Sequence, residues 1–259
     1  AGRRAHAVVH ADRAVIPPRP AHPALFLDVD GTLVEIAPRP EDVRASEALR
    51  GQLRRLVRRL DGAVALVSGR SLQDLDRMFG PLVLPAAGQH GVELRPHGGR
   101  TVRTAVDEAA LAHARGTLDA FVGRHSGLRL EDKGAALAVH FRAAPLLESA
   151  VEATMNALAA SLGPVFHVQR GLLVRELKPR AVDKGTALRA LMADEPFAGR
   201  IPIAVGDDIT DLDAFRAAAE LGGFGVAVGD RISAPWQLAG PRALRAWLAM
   251  LAEPPRARS

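Results

Sequence analysis

Short apolar runs that stop at polar residues alternate with stretches of helical period along most of this chain. Residues 25–27 are apolar and end at two carboxylates, Asp28 and Asp30, followed by Gly31 and Thr32. A run at 63–67 ends in Ser68-Gly69-Arg70, and a third lies at 82–84. A fourth, 201–205, ends in Gly206-Asp207-Asp208-Ile209-Thr210-Asp211, and the last is 225–228. Runs this short and this uniformly apolar predict strands buried on both faces. Between them the spacing predicts helices at about 44–60, 71–79, 184–193, 211–220 and 241–251. The first has the apolar stripe Leu49, Leu53, Leu56, Val57 and Leu60 and stops at Asp61-Gly62. A Pro-rich loop at 36–42 leads into it, and Thr210 and Asp213 stand at capping-box spacing for the fourth. This rhythm predicts an α/β fold with a doubly wound, mostly parallel sheet of Rossmann-like type.

The pattern changes near Pro96-His97-Gly98-Gly99. A helix at about 105–124 is followed by a strand at 127–130 and a hairpin turn at Asp132-Lys133-Gly134. Residues 135–142 then alternate, with Leu137, Val139 and Phe141 on one face and Ala138, His140 and Arg142 on the other. That is the pattern of a sheet with one covered and one polar face. A helix at 146–161 and a hairpin at 165–169 and 172–177 complete the segment. Residues 98–178 therefore read as an inserted α+β cap domain, and residues 21–97 and 179–259 as the core it interrupts. Residues 1–20 carry Arg3, Arg4, Arg13 and Arg19 with three prolines and no apolar signal segment, so a mobile basic leader is expected there.

Composition narrows the chemistry. The chain has no cysteine, which removes disulfides, thiolate nucleophiles and cysteine metal sites, and makes a cytoplasmic location the expectation. No apolar run reaches about 18 residues, so no membrane span is expected. The nine histidines show no zinc-binding spacing. A net charge of +5 raises nucleic acid as a partner, but the basic residues are dispersed and tyrosine is absent. The densest cluster, Arg50, Arg54, Arg55, Arg58 and Arg59, is accounted for by the solvated face of the first helix. No nucleic-acid partner is expected. Of 34 basic residues only Lys133, Lys178 and Lys184 are lysine, so a position that kept lysine is a candidate for needing a compact ammonium.

In an open parallel sheet the strand C-termini share one edge, and ligands bind there. Asp28, Asp30, Ser68, Asp207, Asp208 and Asp211 would meet at that edge with Lys184. Lys184 offsets part of the negative charge, and an all-oxygen set of this kind suits Mg²⁺. Asp213 is explained by helix N-terminal charge. Such a site fits phosphoryl transfer. Asp28 would be the nucleophile and Asp30 the general acid and base, with Ser68 and Lys184 holding the phosphoryl oxygens.

Asp28-Val29-Asp30-Gly31-Thr32, Ser68-Gly69-Arg70, Lys184-Gly185 and the Asp207 to Asp211 spacing resemble the four motifs of the haloacid dehalogenase superfamily. The resemblance implies a phosphatase core, a cap that closes over substrate, and Mg²⁺ held by Asp28, the backbone carbonyl of Asp30 and Asp207, with Asp211 in support. Asp208 is left without a role. Gly88-Gln89-His90-Gly91-Val92-Glu93, Glu131-Asp132-Lys133 with His140-Phe141-Arg142, and Glu176-Leu177-Lys178-Pro179 are similar to trehalose-6-phosphate phosphatases. That family implies hydrolysis of trehalose 6-phosphate to trehalose and phosphate. It places Gly31, Thr32, Gly69, Arg70, His90 and Glu93 of the core around the substrate. From the cap it adds Glu131, Lys133, His140, Arg142, Glu176 and Lys178. On local pattern alone Lys133 is a hairpin residue, His140 and Arg142 are the polar face of a sheet, and Glu176 and Lys178 are a strand end. Gln89 departs from the pattern expected before the histidine and is left without a role. A phosphatase of another sugar phosphate, of sucrose-phosphate or mannosylphosphoglycerate type, and a catalytically silent phosphosugar-binding module are the rival readings. A monomer is expected.

Overall fold

The computed structural model describes residues 16–37 and 43–254. The large sheet is formed first by β1 (Pro23–Leu27), β2 (Val64–Val67), β3 (Ala86–Gly88), β4 (Glu93–Arg95) and β5 (Val102–Arg103). A smaller sheet follows, of β6 (Arg129–Asp132), β7 (Leu137–His140), β8 (Phe166–Gly171) and β9 (Val174–Pro179). The chain then returns to the large sheet with β10 (Ile201–Gly206), β11 (Phe224–Val228) and β12 (Trp236–Leu238). The large sheet has the order β12-β11-β10-β1-β2-β3-β4-β5, and the small one β6-β7-β9-β8. Pairing is parallel from β12 to β3 and antiparallel for β4 and β5. Every residue of β1 and β2 is buried, as continuous apolar runs predict.

Among the described residues, seven α-helices accompany the sheets. They are α1 (Glu47–Arg59), α2 (Leu72–Phe79), α3 (Glu108–Val122), α4 (Glu148–Ser161), α5 (Lys184–Met192), α6 (Leu212–Glu220) and α7 (Pro241–Ala252). Side-chain oxygens of Ser46, Ser71, Asp107 and Asp183 accept backbone N–H groups at the starts of α1, α2, α3 and α5. Among the described residues no helix is long and apolar enough to cross a membrane.

Among the described residues, a small cluster of Val92, Ala135 and Val182 and two large apolar cores result. One surrounds the large sheet and includes Leu25, Leu27, Leu53, Leu66 and Val205. The other lies between the small sheet and α3 and α4, and takes Leu137, Val139, Phe141 and Leu177 from the strands. The alternation along 135–142 thus faces its apolar side to helices. The opposite side carries a polar row, because register aligns Glu131, Ala138, Glu176 and Gln169 across all four strands.

Several expectations change. Residues 82–84 form no strand: Pro81 and Pro85 flank them, neither with an N–H to donate, and pairing begins at Ala86. β12 was not legible. Val102–Arg103, inside the segment expected as cap, pairs with β4 of the large sheet. The cap of the turn before α6 is Asp208 with Asp211, not Thr210 with Asp213. Most of the expected leader lies outside the described residues, as does 38–42 of the expected loop. The described end of that leader, residues 16–20, contacts α7. Trp247 Nε1 donates to the Pro17 carbonyl at 3.1 Å, and Arg19 donates to the carbonyls of Met250 and Glu253 at the end of α7. An arginine suits a helix C-terminus, where carbonyls lack partners.

Candidate active site

Asp28, Ser68 and Asp207 directly follow β1, β2 and β10, so three adjacent parallel strands deliver them to one edge. All three are buried, as are Lys184, the first residue of α5, and Asp211. Lys184 Nζ donates to Asp28 Oδ1 at 2.7 Å and to Asp211 Oδ1 at 2.6 Å. The other Asp211 oxygen accepts the backbone N–H groups of Asp207 and Asp208 at 3.1 and 3.0 Å. Thr32 Oγ1 donates to Asp207 Oδ1 at 2.9 Å, and Arg231 Nη1 to Oδ2 at 2.9 Å. Gly31 packs against Asp207 with φ +81°, and a Cβ there would lie 2.3 Å from Asp207 Oδ2. No other residue fits that turn.

Asp28, Asp207 and Asp211 each offer one carboxylate oxygen, all within 4.8 Å of one another. Burial and then the charge of Asp28 raise Asp207 to about 6. Burial raises Asp211 to about 7 against the pull of Lys184. Burial opposes the Lys184 ammonium, yet Asp211 and Asp28 hold its pKa above the usual lysine value. Crowded, buried oxygens with one ammonium among them leave an excess of negative charge. A small hard dication fits such a donor set.

Asp30 stands beside this cluster, both oxygens held by the Arg70 fork at 2.6 Å. Ser68 Oγ accepts the Arg70 backbone N–H at 3.2 Å. A cavity of about 600 Å³ opens above them, a size suited to a small-molecule site. Asp28, Asp30, Ser68, Gly69, Arg70 and Lys184 line its floor. Glu131, Lys133, His140, Gln169 and Glu176, from the polar side of the small sheet and its hairpin, line the facing wall. His90 lines it too, packed so closely that a Cβ on Gly69 would lie 2.7 Å from His90 Nε2.

The wall is itself paired. Lys133 Nζ donates to Glu176 Oε2 at 2.8 Å, and His140 Nε2 bonds Glu131 Oε2 at 2.6 Å. Glu176 Oε1 is buried 3.4 Å from His90 Nε2, too poorly aligned for a good hydrogen bond, and has no other partner among the described residues. Burial works against the Glu176 carboxylate, but the Lys133 ammonium beside it holds the group well below the usual carboxylate range. Burial pushes the His90 imidazole down, against the raising effect of the Glu176 carboxylate.

Five residues expected at the substrate do not line the cavity: Gly31, Thr32, Glu93, Arg142 and Lys178. Gly31 and Thr32 support Asp207 from beneath. Glu93 Oε2 accepts the Leu72 N–H at 2.7 Å and so ties down the start of α2. β7 ends at His140, which leaves Arg142 exposed beyond the strand. Lys178 is buried on the polar side of β9, opposite His167, one register row beyond Glu176. Burial lowers its ammonium despite Glu176 and Asp213. Conversely, Arg231 was not singled out by sequence. It lies after β11, lines the cavity and pairs with Asp207 and Asp208, the latter at 3.3 Å. Nothing in its local sequence distinguishes it from the many other arginines.

The trehalose-phosphatase family model matches residues 26–237, spanning all of these side chains. The chain belongs to the trehalose-phosphatase family. It is 40% identical over 232 residues to the probable trehalose-phosphate phosphatase of Sinorhizobium fredii, covering 88% of this chain and 87% of that one. It is 38% identical over 229 residues to the trehalose-6-phosphate phosphatase of Escherichia coli, covering 88% and 86%. The C-terminal domain of a Candida albicans trehalose-6-phosphate phosphatase shares the fold, with a TM-score of 0.80 at 23% identity, covering 89% of this chain and 92% of that one. This trehalose-phosphatase family member is thus a phosphatase, and it shares the fold of haloacid dehalogenase-type structures.

The Glu176 shift sets a pH dependence. A carboxylate with a depressed folded pKa stabilises the fold above its unfolded value, and that contribution is lost as pH falls through the folded one. The melting-temperature gap between wild type and Glu176→Gln should therefore hold from pH 8 to about 5 and close only below about pH 4.

Proposed function

We propose that this chain hydrolyses trehalose 6-phosphate to trehalose and phosphate through a phosphoaspartyl intermediate on Asp28. Mg²⁺ would be held by Asp28, the backbone carbonyl of Asp30 and Asp207, with Asp211 in support. A dication there would draw charge from the phosphoryl oxygens and quench the repulsion between Asp28 and the incoming phosphate.

The chain's own groups divide the work. Lys184 holds Asp28 Oδ1, which leaves Oδ2 to attack phosphorus. The bond from phosphorus to the sugar oxygen breaks, and Asp30 gives that oxygen a proton. Arg70, which clasps both Asp30 oxygens, has to release one for this. In the second half Asp30 takes a proton from water as the water oxygen attacks phosphorus. The acyl phosphate bond then breaks, phosphate leaves, and Asp28 is regenerated. Ser68 and Lys184 stabilise the equatorial oxygens in both halves.

One observation carries the substrate class. A buried acceptor, Glu176 Oε1, has only His90 Nε2 near it among the described residues, at 3.4 Å and poorly aligned, in a wall of polar groups that faces the phosphoryl floor across the cavity. A sugar hydroxyl is the donor such an oxygen needs. Sites built for hydroxyls discriminate strongly, because an unfilled one leaves buried polar groups unpaired. Glu131→Ala and Lys133→Ala should raise KM for trehalose 6-phosphate by about tenfold or more. Turnover of a small aryl phosphate should change by less than about threefold. Steady-state kinetics on both substrates test this, and equal losses on the two would assign these residues to folding instead.

A further inference from the structure

Gln89 and His90 are consecutive, and both hold a left-handed backbone, with φ 48° and 56°. Residues with bulky side chains seldom adopt it, and it persists only where the surroundings impose it. Both are buried, in the short turn between β3 and β4. The strain gives direction. Each of these core residues reaches a residue of the small sheet or its hairpin. His90 lies against Glu176, and Gln89 Oε1 accepts the backbone N–H of Ala135 at 3.1 Å.

Ala135 is fully buried and sits two residues after Lys133. A buried amide N–H requires an acceptor, and Gln89 is the one it has. Gly134 packs against the same side chain: a Cβ there would lie 3.2 Å from Gln89 Nε2. On its other side Gln89 Nε2 donates to Glu93 Oε1 at 3.4 Å, and Glu93 Oε2 holds the Leu72 N–H at the start of α2. The Gln89 backbone N–H donates to the Arg70 carbonyl at 2.8 Å, and that of His90 to the Ser68 carbonyl at 3.0 Å. Hydrogen bonds thus run from the loop that lines the phosphoryl floor, through Gln89, to the hairpin that carries Lys133.

We propose that Gln89 is a positioning residue that fastens the Lys133 hairpin to the Ser68-Gly69-Arg70 loop and so places the sugar-reading wall over Asp28. The proposal takes its substrate from the sugar-phosphate reading above, but its geometry stands apart from it. Gln89 also lines the cavity, but its side-chain amide is bonded to Ala135 and Glu93 and to none of Asp28, Asp207 and Asp211. Its loss should loosen sugar recognition and leave the phosphoryl chemistry in place.

Gln89→Met in the full chain tests this, because methionine keeps the buried length and removes both polar atoms. Hydrogen exchange at the Ala135 amide should accelerate by about tenfold or more. KM for trehalose 6-phosphate should rise about fivefold, with kcat/KM for a small aryl phosphate within about twofold of wild type. Unchanged exchange at Ala135, or equal losses on both substrates, overturns the proposal. Gln89→Glu is the second variant, and it serves if Gln89→Met does not fold. It keeps an oxygen for Ala135 but sets a carboxylate against Glu93, so it is paired with Glu93→Gln, which puts a donor back between the two. Ala135 should then stay protected, and fast exchange there overturns the proposal as well. If wild type shows no preference for trehalose 6-phosphate over the aryl ester, the proposed function fails while the exchange experiment still decides the role of Gln89.

Discussion

Asp28→Asn should lower kcat for phosphate release by about four orders of magnitude or more, which is the scale on which enzymes lose an attacking nucleophile. The expectation rests on position. Asp28 is the one carboxylate that both follows the central strand β1 and meets Lys184, with an oxygen left over for phosphorus. Asparagine keeps an oxygen for the Lys184 bond and is nearly the same shape. It also removes one of the charges that raise Asp207 and Asp211. The variant should therefore fold, with a melting temperature near that of wild type, and yet form no acyl phosphate. Asp30→Asn should behave differently. Losing a general acid and base costs about 10²- to 10⁴-fold, so slow turnover should remain. Phosphate release together with a thermal melt separates these outcomes. Substantial turnover by Asp28→Asn would remove the nucleophile from this account.

Lys184→Ala should damage both activity and stability. Lys184 is 3% exposed and is the ammonium between two buried carboxylates. Removing one partner of a buried ion pair costs about 3–5 kcal/mol, because the charge left behind has neither water nor a counter-ion. For a chain of this size that lowers the melting temperature by roughly 10 °C. Two controls identify the cause. Asp211→Asn in the Lys184→Ala background should recover part of the lost stability, since one of the stranded charges is gone. Mg²⁺ should also stabilise Lys184→Ala more than wild type, because a dication offsets the same carboxylates. Neither should restore turnover, which needs the Lys184 ammonium itself on the phosphoryl oxygens. A melting temperature unchanged in Lys184→Ala would mean that the pair is solvated and the site open.

The core of this site was legible because strand ends are where a doubly wound sheet collects ligands. The acids after 25–27 and 201–205 and the serine after 63–67 could be assigned before any geometry was known. The sugar-facing wall was legible in part. The alternation of Leu137, Val139 and Phe141 separates the two faces of β7 correctly. It cannot say that the strand ends at His140, and so it carries Arg142 too far. Lys178 shares the side of β9 that bears Glu176, but a sequence does not show which register row lies over the cavity. β3 is Ala-Ala-Gly, too small in its side chains to stand out from the more apolar residues 82–84 before it. Gln89 was unreadable for a different reason. Its role depends on a left-handed backbone and on a partner 46 positions away. Arg231 reaches Asp207 from the loop after β11, with no local pattern to mark it.

The central claim is that a phosphoaspartyl floor and a hydroxyl-reading wall act together on one disaccharide phosphate. Phosphate release across a panel of sugar phosphates, with Mg²⁺ and with a chelator, tests it most directly. The account predicts a kcat/KM for trehalose 6-phosphate at least about tenfold above those for sucrose 6-phosphate, mannosylphosphoglycerate and a small aryl phosphate. It also predicts that the chelator abolishes release from all four. Equal rates across the panel, or release undiminished by the chelator, would contradict it.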